Sequence, residues 1–528
     1  MLEFILQTAI IMSLTIIISY ILSYPISLFI DGKIKSKVFE KIENKIFNFL
    51  NIDKNYSMNW KEYFISLLLL NIIFIVFDTI FLSYQGFLSF IGPKYKGLSI
   101  DLSFNTAISF VTNTNLQHYI GELNLSITSQ ILVITSSMFI GPSTGLSAFY
   151  AFTRGFLRKS KYIGNFYVDF IRSFLFLILP ISIVTSIIFI SLGLPQTFNP
   201  YYITNTHQII YTGPVASLES IKLLGNNGGG YYGSNSANLF ENPSNLSNYF
   251  EMLLMLVFPL SMPLAFGRLL GKKRGFSILA SMIIGMAIII VLSVISPPKG
   301  IISVRFGNYS SLLFNSVSLS TNTGALSSSL YSMSSMAITG FLLAMFIQSI
   351  PGSIGTGFMY MIVYVILTLF ILGLMVGKMP EIMGMKINPK DIKLSIGVFL
   401  THPILILIPT AIALSFSFLH LKINAYTYTQ ILYEFTSSAA NNGSDYLSII
   451  ANTQFYNYST AIVMFLGRYL PIGLMLALSN SFSTKDRKAE IEPIPTEGLL
   501  FILILLFMIF LLTVLTFFPF IIIGPFSW

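Results

Sequence analysis

The sequence contains no cysteine and only four histidines in 528 residues. The missing thiols exclude disulfides, thiolate metal sites and a cysteine nucleophile. The histidines, His118, His207, His402 and His420, are too scattered to make a ligand pair at helical spacing, so structural or surface roles are expected of them. Charge is also scarce. Asp, Glu, Lys and Arg make up 10% of the chain, against about 25% in a soluble domain. No Ser/His/Asp or metal constellation is visible, nor a nucleotide loop or an aspartyl-phosphate motif. An intramembrane hydrolase is therefore excluded, and any ATP chemistry must come from another chain.

What fills the sequence is apolar: 54% hydrophobic residues, with a mean hydropathy of +0.76. Length and hydropathy give ten spans, at 4–30, 63–91, 125–150, 168–194, 249–270, 276–296, 333–376, 394–419, 458–480 and 498–523. The first is too long for a cleaved signal peptide and has no basic flank ahead of it.

The net charge of +9 is explained by position. Of the 30 Lys and Arg, 24 fall in or beside connections after odd-numbered spans; Lys94, Lys96, Lys222, Lys299, Arg305 and Lys422 follow even-numbered ones. The asymmetry fits the positive-inside rule with both termini outside. The partner it implies is the lipid bilayer, not nucleic acid. Lys33 to Lys45, interleaved with Glu40 and Glu43, reads as a cytoplasmic amphipathic helix, against lipid headgroups or not.

Four small, uncharged stretches lie on the charge-poor side, each after an even-numbered span and about three turns of expected helix. They are Thr112-Asn113-Thr114-Asn115, Asn226-Asn227-Gly228-Gly229-Gly230, Thr321-Asn322-Thr323-Gly324 and Ala440-Asn441-Asn442-Gly443. Backbone carbonyls can replace the hydration shell of an alkali cation without trapping it by fixed charge. Gly and Asn allow the backbone angles that such loops need. Helices ending just before the loops would aim their partly negative ends at the pore. The four stretches are thus expected to be quarters of one ion-selecting ring. Spans 2 to 9 then form four span–pore helix–span repeats, with spans 1 and 10 outside them.

The seventh apolar segment, 333–376, is about twice the length that crosses a bilayer. Its middle carries Pro351, Gly352, Gly355 and Gly357. Freed backbone groups cannot face lipid, so the segment is expected to break in mid-membrane below the ring, near 349–357.

The longer motifs carry a resemblance. They are 105–115 with Gln117, Asn227-Gly-Gly-Gly230 continuing through Asn235-Ser-Ala-Asn238 to Phe240-Glu-Asn-Pro243, Ser438-Ala-Ala-Asn-Asn-Gly-Ser444, and Met464-Phe-Leu-Gly-Arg468. In these the chain resembles the family of the potassium-binding A component of the Kdp potassium pump, over nearly its whole length. The resemblance implies an all-α polytopic protein of the superfamily of K+ transporters, with four repeats around a pseudo-fourfold pore, in a prokaryotic cell membrane. It implies a protein that binds K+ and passes it by an intramembrane tunnel to an ATP-hydrolysing B component, with small C and F components completing the complex. It places the K+ filter at Thr112, Asn113, Thr114 and Asn115; Asn226, Asn227 and Gly228; Asn322, Thr323 and Gly324; and Asn441, Asn442 and Gly443. It assigns Gln117 to the tunnel region, and Gln348, Gly352, Gly355 and Gly357 to an intramembrane loop that blocks straight passage. The chain divides into 1–59, repeats at 60–160, 161–271, 272–380 and 381–485, and a last span in 486–528. It departs from the family pattern at Thr323 (usually Cys), at Gln348 (often Glu), at Gly352-Ser353 with Pro351 ahead (often a Gly pair), and at Leu116 (usually Trp). Thr323 keeps a backbone carbonyl and adds an oxygen. The runner-up reading is a self-contained K+ channel or symporter of the same architecture.

Three further expectations concern charge. Arg468, deep in span 9, either acts below the ring or snorkels to the inner interface. Asp78 in span 2 either lines the ion route or is satisfied by Arg172 or the inner interface. The acids Asp101, Glu122, Glu219, Glu241, Glu434 and Asp445 either draw cations to the mouth or form a solvated outer face.

Overall fold

The computed structural model describes residues 2–33, 36–157, 160–296, 298, 300–416, 418–419, 422–486 and 494–527. His420 and six of the basic residues counted for topology (Lys35, Arg158, Lys159, Lys299, Arg487 and Lys488) lie outside them.

Ten helices among the described residues are long and apolar enough to cross a membrane: Phe4–Ile30, Trp60–Ser83, Ile127–Leu157, Phe166–Ser191, Asn245–Leu270, Lys272–Val294, Thr356–Val376, Pro389–Phe416, Gln454–Ser483 and Leu499–Ser527. In lipid a helix satisfies its own backbone groups, which is why these apolar runs take no other form. Among the described residues, strands are confined to three two-stranded ribbons outside the spans.

Two expected spans differ. The second ends at Ser83 rather than near residue 91, because the buried Gln85 turns the chain there. Its Nε2 donates to the carbonyls of Lys96 (3.0 Å) and Asn124 (2.8 Å), and its Oε1 accepts from Ser126 N (3.2 Å). The long seventh segment is two helices, Ser335–Ile347 and Thr356–Val376, joined by irregular backbone. The first of these, at 13 residues, is too short to cross alone.

Four shorter helices lie between the spans: Ile100–Val111, Val215–Leu224, Gly307–Ser320 and Ala425–Ala439. They are largely buried, and the spans of the repeats pack around them. The first span packs against the fifth, and the last against the sixth and seventh, outside the four repeats.

A buried ion pair ties together the adjoining ends of the first four spans. Arg154 meets Asp169 in a two-pronged contact of 2.6 and 2.7 Å, and donates as well to the carbonyls of Phe29, Ile30 and Ile163. Tyr63 donates its hydroxyl to the same Asp169 at 2.9 Å. The amphipathic helix forms as Lys37–Leu50, capped by Ser36. It docks on protein: its buried Glu43 takes Arg172 at 2.8 Å. Arg172 is therefore not the partner of Asp78. Asp78 is fully buried, with Ser137 donating to Oδ2 at 2.6 Å and Oδ1 unpartnered. Asparagine can keep the Ser137 contact, so Asp78→Asn is expected to leave K+ uptake within about twofold of the parent. A larger fall, measured as initial uptake rate, would put Asp78 on the ion route.

Candidate functional site

Each short helix ends the same way. Its cap residue (Thr112, Gly225, Thr321, Ala440) is followed by an asparagine in the left-handed region: Asn113 (φ 65°), Asn226 (φ 53°), Asn322 (φ 48°) and Asn441 (φ 51°). The next backbone N–H then turns back onto the helix: Thr114 to Ser109 O (2.9 Å), Asn227 to Lys222 O (2.7 Å), Thr323 to Ser318 O (2.8 Å) and Asn442 to Ser437 O (2.9 Å). This is the Schellman closure, and Asn enters it because its side chain tolerates positive φ. Four helices thus stop at equivalent points and release four equivalent loops.

The loops meet. Asn113 Nδ2 donates to the carbonyls of Gly225 (3.1 Å) and Asn226 (2.9 Å), joining the first loop to the second. Asn226 Nδ2 reaches Thr323 Oγ1 at 2.9 Å, and Asn441 Nδ2 reaches Thr114 Oγ1 at 2.9 Å. The second loop thereby braces the third, and the fourth braces the first. Within the receiving loops, Thr112 pairs with Thr114 (2.8 Å) and Thr321 with Thr323 (2.7 Å) through their hydroxyls. The Thr323 hydroxyl is thus engaged in the brace. The third loop closes on the fourth at Gly324, whose missing side chain leaves room for the Asn442 carbonyl.

Close approach explains two glycines. A Cβ on Gly228 would lie 2.7 Å from both Thr114 O and Asn442 O. Gly443, at φ 90°, sits directly against the Thr114 carbonyl. Oxygens of the first and fourth loops therefore converge where the second loop carries no side chain. The buried amides Asn113, Asn115, Asn227 and Asn322 keep Oδ1 without a hydrogen-bond partner. Neutral oxygens in a buried ring are the donor set that a desolvated alkali cation takes.

The broken segment lies against this ring. Gln348 (φ 60°) ends one helix, and Gly352 (φ 74°) and Gly355 (φ 81°) carry the chain to Thr356. Gly352 N donates to Ser320 O at 2.9 Å, at the end of the third short helix. Ile354 N donates to Asn226 Oδ1 at 3.0 Å, and Asn113 Nδ2 lies 3.4 Å from Ser353 Oγ. Gly352 and Gly357 are packed too closely for side chains, as are Gly355 and the Gly145 carbonyl. Gln348 is buried, with Nε2 unpartnered.

Arg468 is 3% exposed, so it does not snorkel. Its guanidinium donates to Gly141 O (3.2 Å) and Thr356 Oγ1 (3.3 Å), linking the ninth and third spans to the start of the helix after the break. Gln117 sits elsewhere than the break. It clasps Gly230 through both groups of its amide, Oε1 accepting from Gly230 N (3.0 Å) and Nε2 donating to Gly230 O (3.1 Å).

Three of the six flanking acids do not belong to a solvated face, and Asp101, Glu122 and Asp445 are partly exposed. Glu219, Glu241 and Glu434 are fully buried. Lys222 Nζ meets Glu219 and Glu241 at 2.8 Å each and Asn235 Oδ1 at 2.6 Å, and Asn235 Nδ2 donates to Gly228 O at 2.5 Å. A buried charge network thus reaches a ring carbonyl through one asparagine. No periodicity shows it, because its members combine a short helix with the loop beyond the ring. At the periphery, burial pushes the Glu122 carboxyl above the usual range despite its bond from Gly233 N. Burial acts upward on Asp101 as well, but hydrogen bonds led by Asn457 outweigh it and hold that carboxyl low.

Four helix-backed loops closing on one another beside a helix broken within the membrane define a cation-transport protein of the four-repeat class. A crystal structure of the potassium transporter TrkH from Vibrio parahaemolyticus has the same fold, with a TM-score of 0.56 at 12% identity, covering 88% of this chain and 98% of that one. Residues 9–527 match the family described as KdpA, the potassium-transporting ATPase A subunit, and the chain belongs to that family. Potassium-transporting ATPase potassium-binding subunits from Caldanaerobacter subterraneus and Geobacillus kaustophilus are each 38% identical to it, over 90% and 89% of this chain and 90% and 88% of theirs.

Proposed function

We propose that this chain selects K+ from the outer side at the ring and delivers it, through a tunnel within the membrane, to the ATP-hydrolysing component of a high-affinity import pump. The observation that carries this reading is the convergence of Thr114 and Asn442 carbonyls on Gly228, in a ring whose Asn226 is hydrogen-bonded to the irregular backbone at 348–355. The filter consists of Thr112 to Asn115, Asn226 to Gly228, Asn322 to Gly324 and Asn441 to Gly443. Carbonyl oxygens replace the ion's water, and the helix ends behind them favour positive charge. The loop with Gln348, Gly352, Gly355 and Gly357 forms the floor that stops straight passage, and Arg468 fixes the far end of that floor. Gln117 holds the first two loops in register.

The chain works as the non-hydrolytic member of the complex, with the ATP-hydrolysing B component and the small C and F components as partners. It lies in a prokaryotic plasma membrane with both termini outside, and its four repeats are 60–160, 161–271, 272–380 and 381–485. Uptake by K+-starved cells is the test. Cells lacking their own K+ importers, given this chain together with its ATPase partners, should accumulate K+ at low external concentration, and cells given the chain alone should not. Robust flux from the chain alone would instead make it a self-contained channel or symporter.

A further inference from the structure

Beside the ring lies a second buried polar group that ion selection does not use. His118, three residues past Asn115, meets Glu434 of the fourth short helix and Asp445, two residues past Gly443. One ligand atom from each lies within 4.8 Å of the others. His118 and Glu434 are buried.

The imidazole tautomer follows from its neighbour. Asn457 Nδ2 donates to Asp101 Oδ2 (2.7 Å) and to Asn452 Oδ1 (3.0 Å). Its Oδ1 must therefore be the acceptor that faces His118 Nδ1 at 2.8 Å. With the proton on Nδ1, the Nε2 lone pair points at Glu434 Oε1, 3.1 Å away. Glu434 Oε2 and Asp445 Oδ2 are both buried, and the two carboxyls lie within hydrogen-bond reach of each other. Acceptors thus face acceptors. Two carboxyls and an imidazole packed this closely out of water need positive charge among them, from protons or from a metal ion. A divalent cation with a neutral imidazole and two carboxylates sums to zero. One nitrogen with carboxylate oxygens suits a divalent ion such as Zn2+ or Mn2+ better than an alkali ion. Asn457 supplies the outer hydrogen bond that orients metal-binding histidines.

We propose that His118, Glu434 and Asp445 bind a divalent transition-metal ion beside the filter, clamping the chain after the first loop to the chain after the fourth. These two loops meet where Gly443 abuts the Thr114 carbonyl, so the ion stiffens one seam of the ring.

The experiment uses the full-length chain purified with its partner subunits, stripped by chelator and titrated with ZnCl2 or MnCl2. The expected result is one ion per chain by elemental analysis, a raised unfolding temperature with Zn2+, and coupling to one imidazole nitrogen in the pulsed electron paramagnetic resonance spectrum of bound Mn2+. His118→Gln should remove the nitrogen coupling, and Glu434→Gln should weaken binding by roughly 100-fold or more. The parent protein decides the matter even if a variant does not fold: failure to bind either ion, or Mn2+ bound without nitrogen coupling, overturns the proposal. So does binding that is unchanged in both variants.

Discussion

Gly443→Ala is expected to weaken the apparent affinity for K+ by roughly 5- to 150-fold while the protein still reaches the membrane. Gly443 has φ 90° and faces the Thr114 carbonyl with no room for a methyl group. Holding a non-glycine residue there costs about 1–3 kcal/mol, and each 1.4 kcal/mol is about a tenfold change in binding. The strain falls on an oxygen of the neighbouring loop, so the ring itself must open. Gly300→Ala is the control, because an added Cβ there meets nothing within 4 Å. The measurement is the concentration dependence of K+-stimulated ATPase activity in the assembled complex. An unchanged midpoint for Gly443→Ala would remove this seam from the ion site.

Arg154→Met is expected to destabilise the protein by about 3–5 kcal/mol, the cost of leaving a buried carboxylate unpaired. Arg154 is nearly fully buried and holds Asp169 by two contacts, together with three backbone carbonyls. Removing it leaves Asp169 without a countercharge, beside the Tyr63 hydroxyl, and withdraws three hydrogen bonds from the backbone at once. Adding Asp169→Leu should restore part of the loss, because the orphaned charge goes with it, while the bonds from Arg154 to the backbone carbonyls stay lost. Thermal unfolding in detergent, read for both single variants and the double, measures the coupling. Equal and additive losses would show that the pair contributes little beyond its separate contacts.

The outline of the fold was legible because lipid imposes a length on apolar runs, and the alternation of basic residues follows that length. The four polar stretches stood out for the same reason: Asn and Gly between membrane-length segments have few structural uses. The error at the second span shows the limit. Residues 84 to 91 are apolar enough to extend a helix, and only the bonds from Gln85 to Lys96 and Asn124 turn the chain aside. The break after Ile347 was visible in Pro351 and the glycines, whereas its attachment to Asn226 was not. Side-chain partnerships across repeats leave no local pattern. Arg172 could be paired with Asp78 on paper, yet it meets Glu43. His118 looked solitary because Glu434 and Asp445 lie more than 300 positions away.

Asn226 faces two ways. One side-chain atom steadies the third loop through Thr323, and the other holds the irregular backbone after Ile347 through Ile354. One side chain therefore pins the third loop and the irregular segment after Ile347 together. Truncating Asn226 would release both attachments together, so the loop and the break cannot be loosened one at a time by that change.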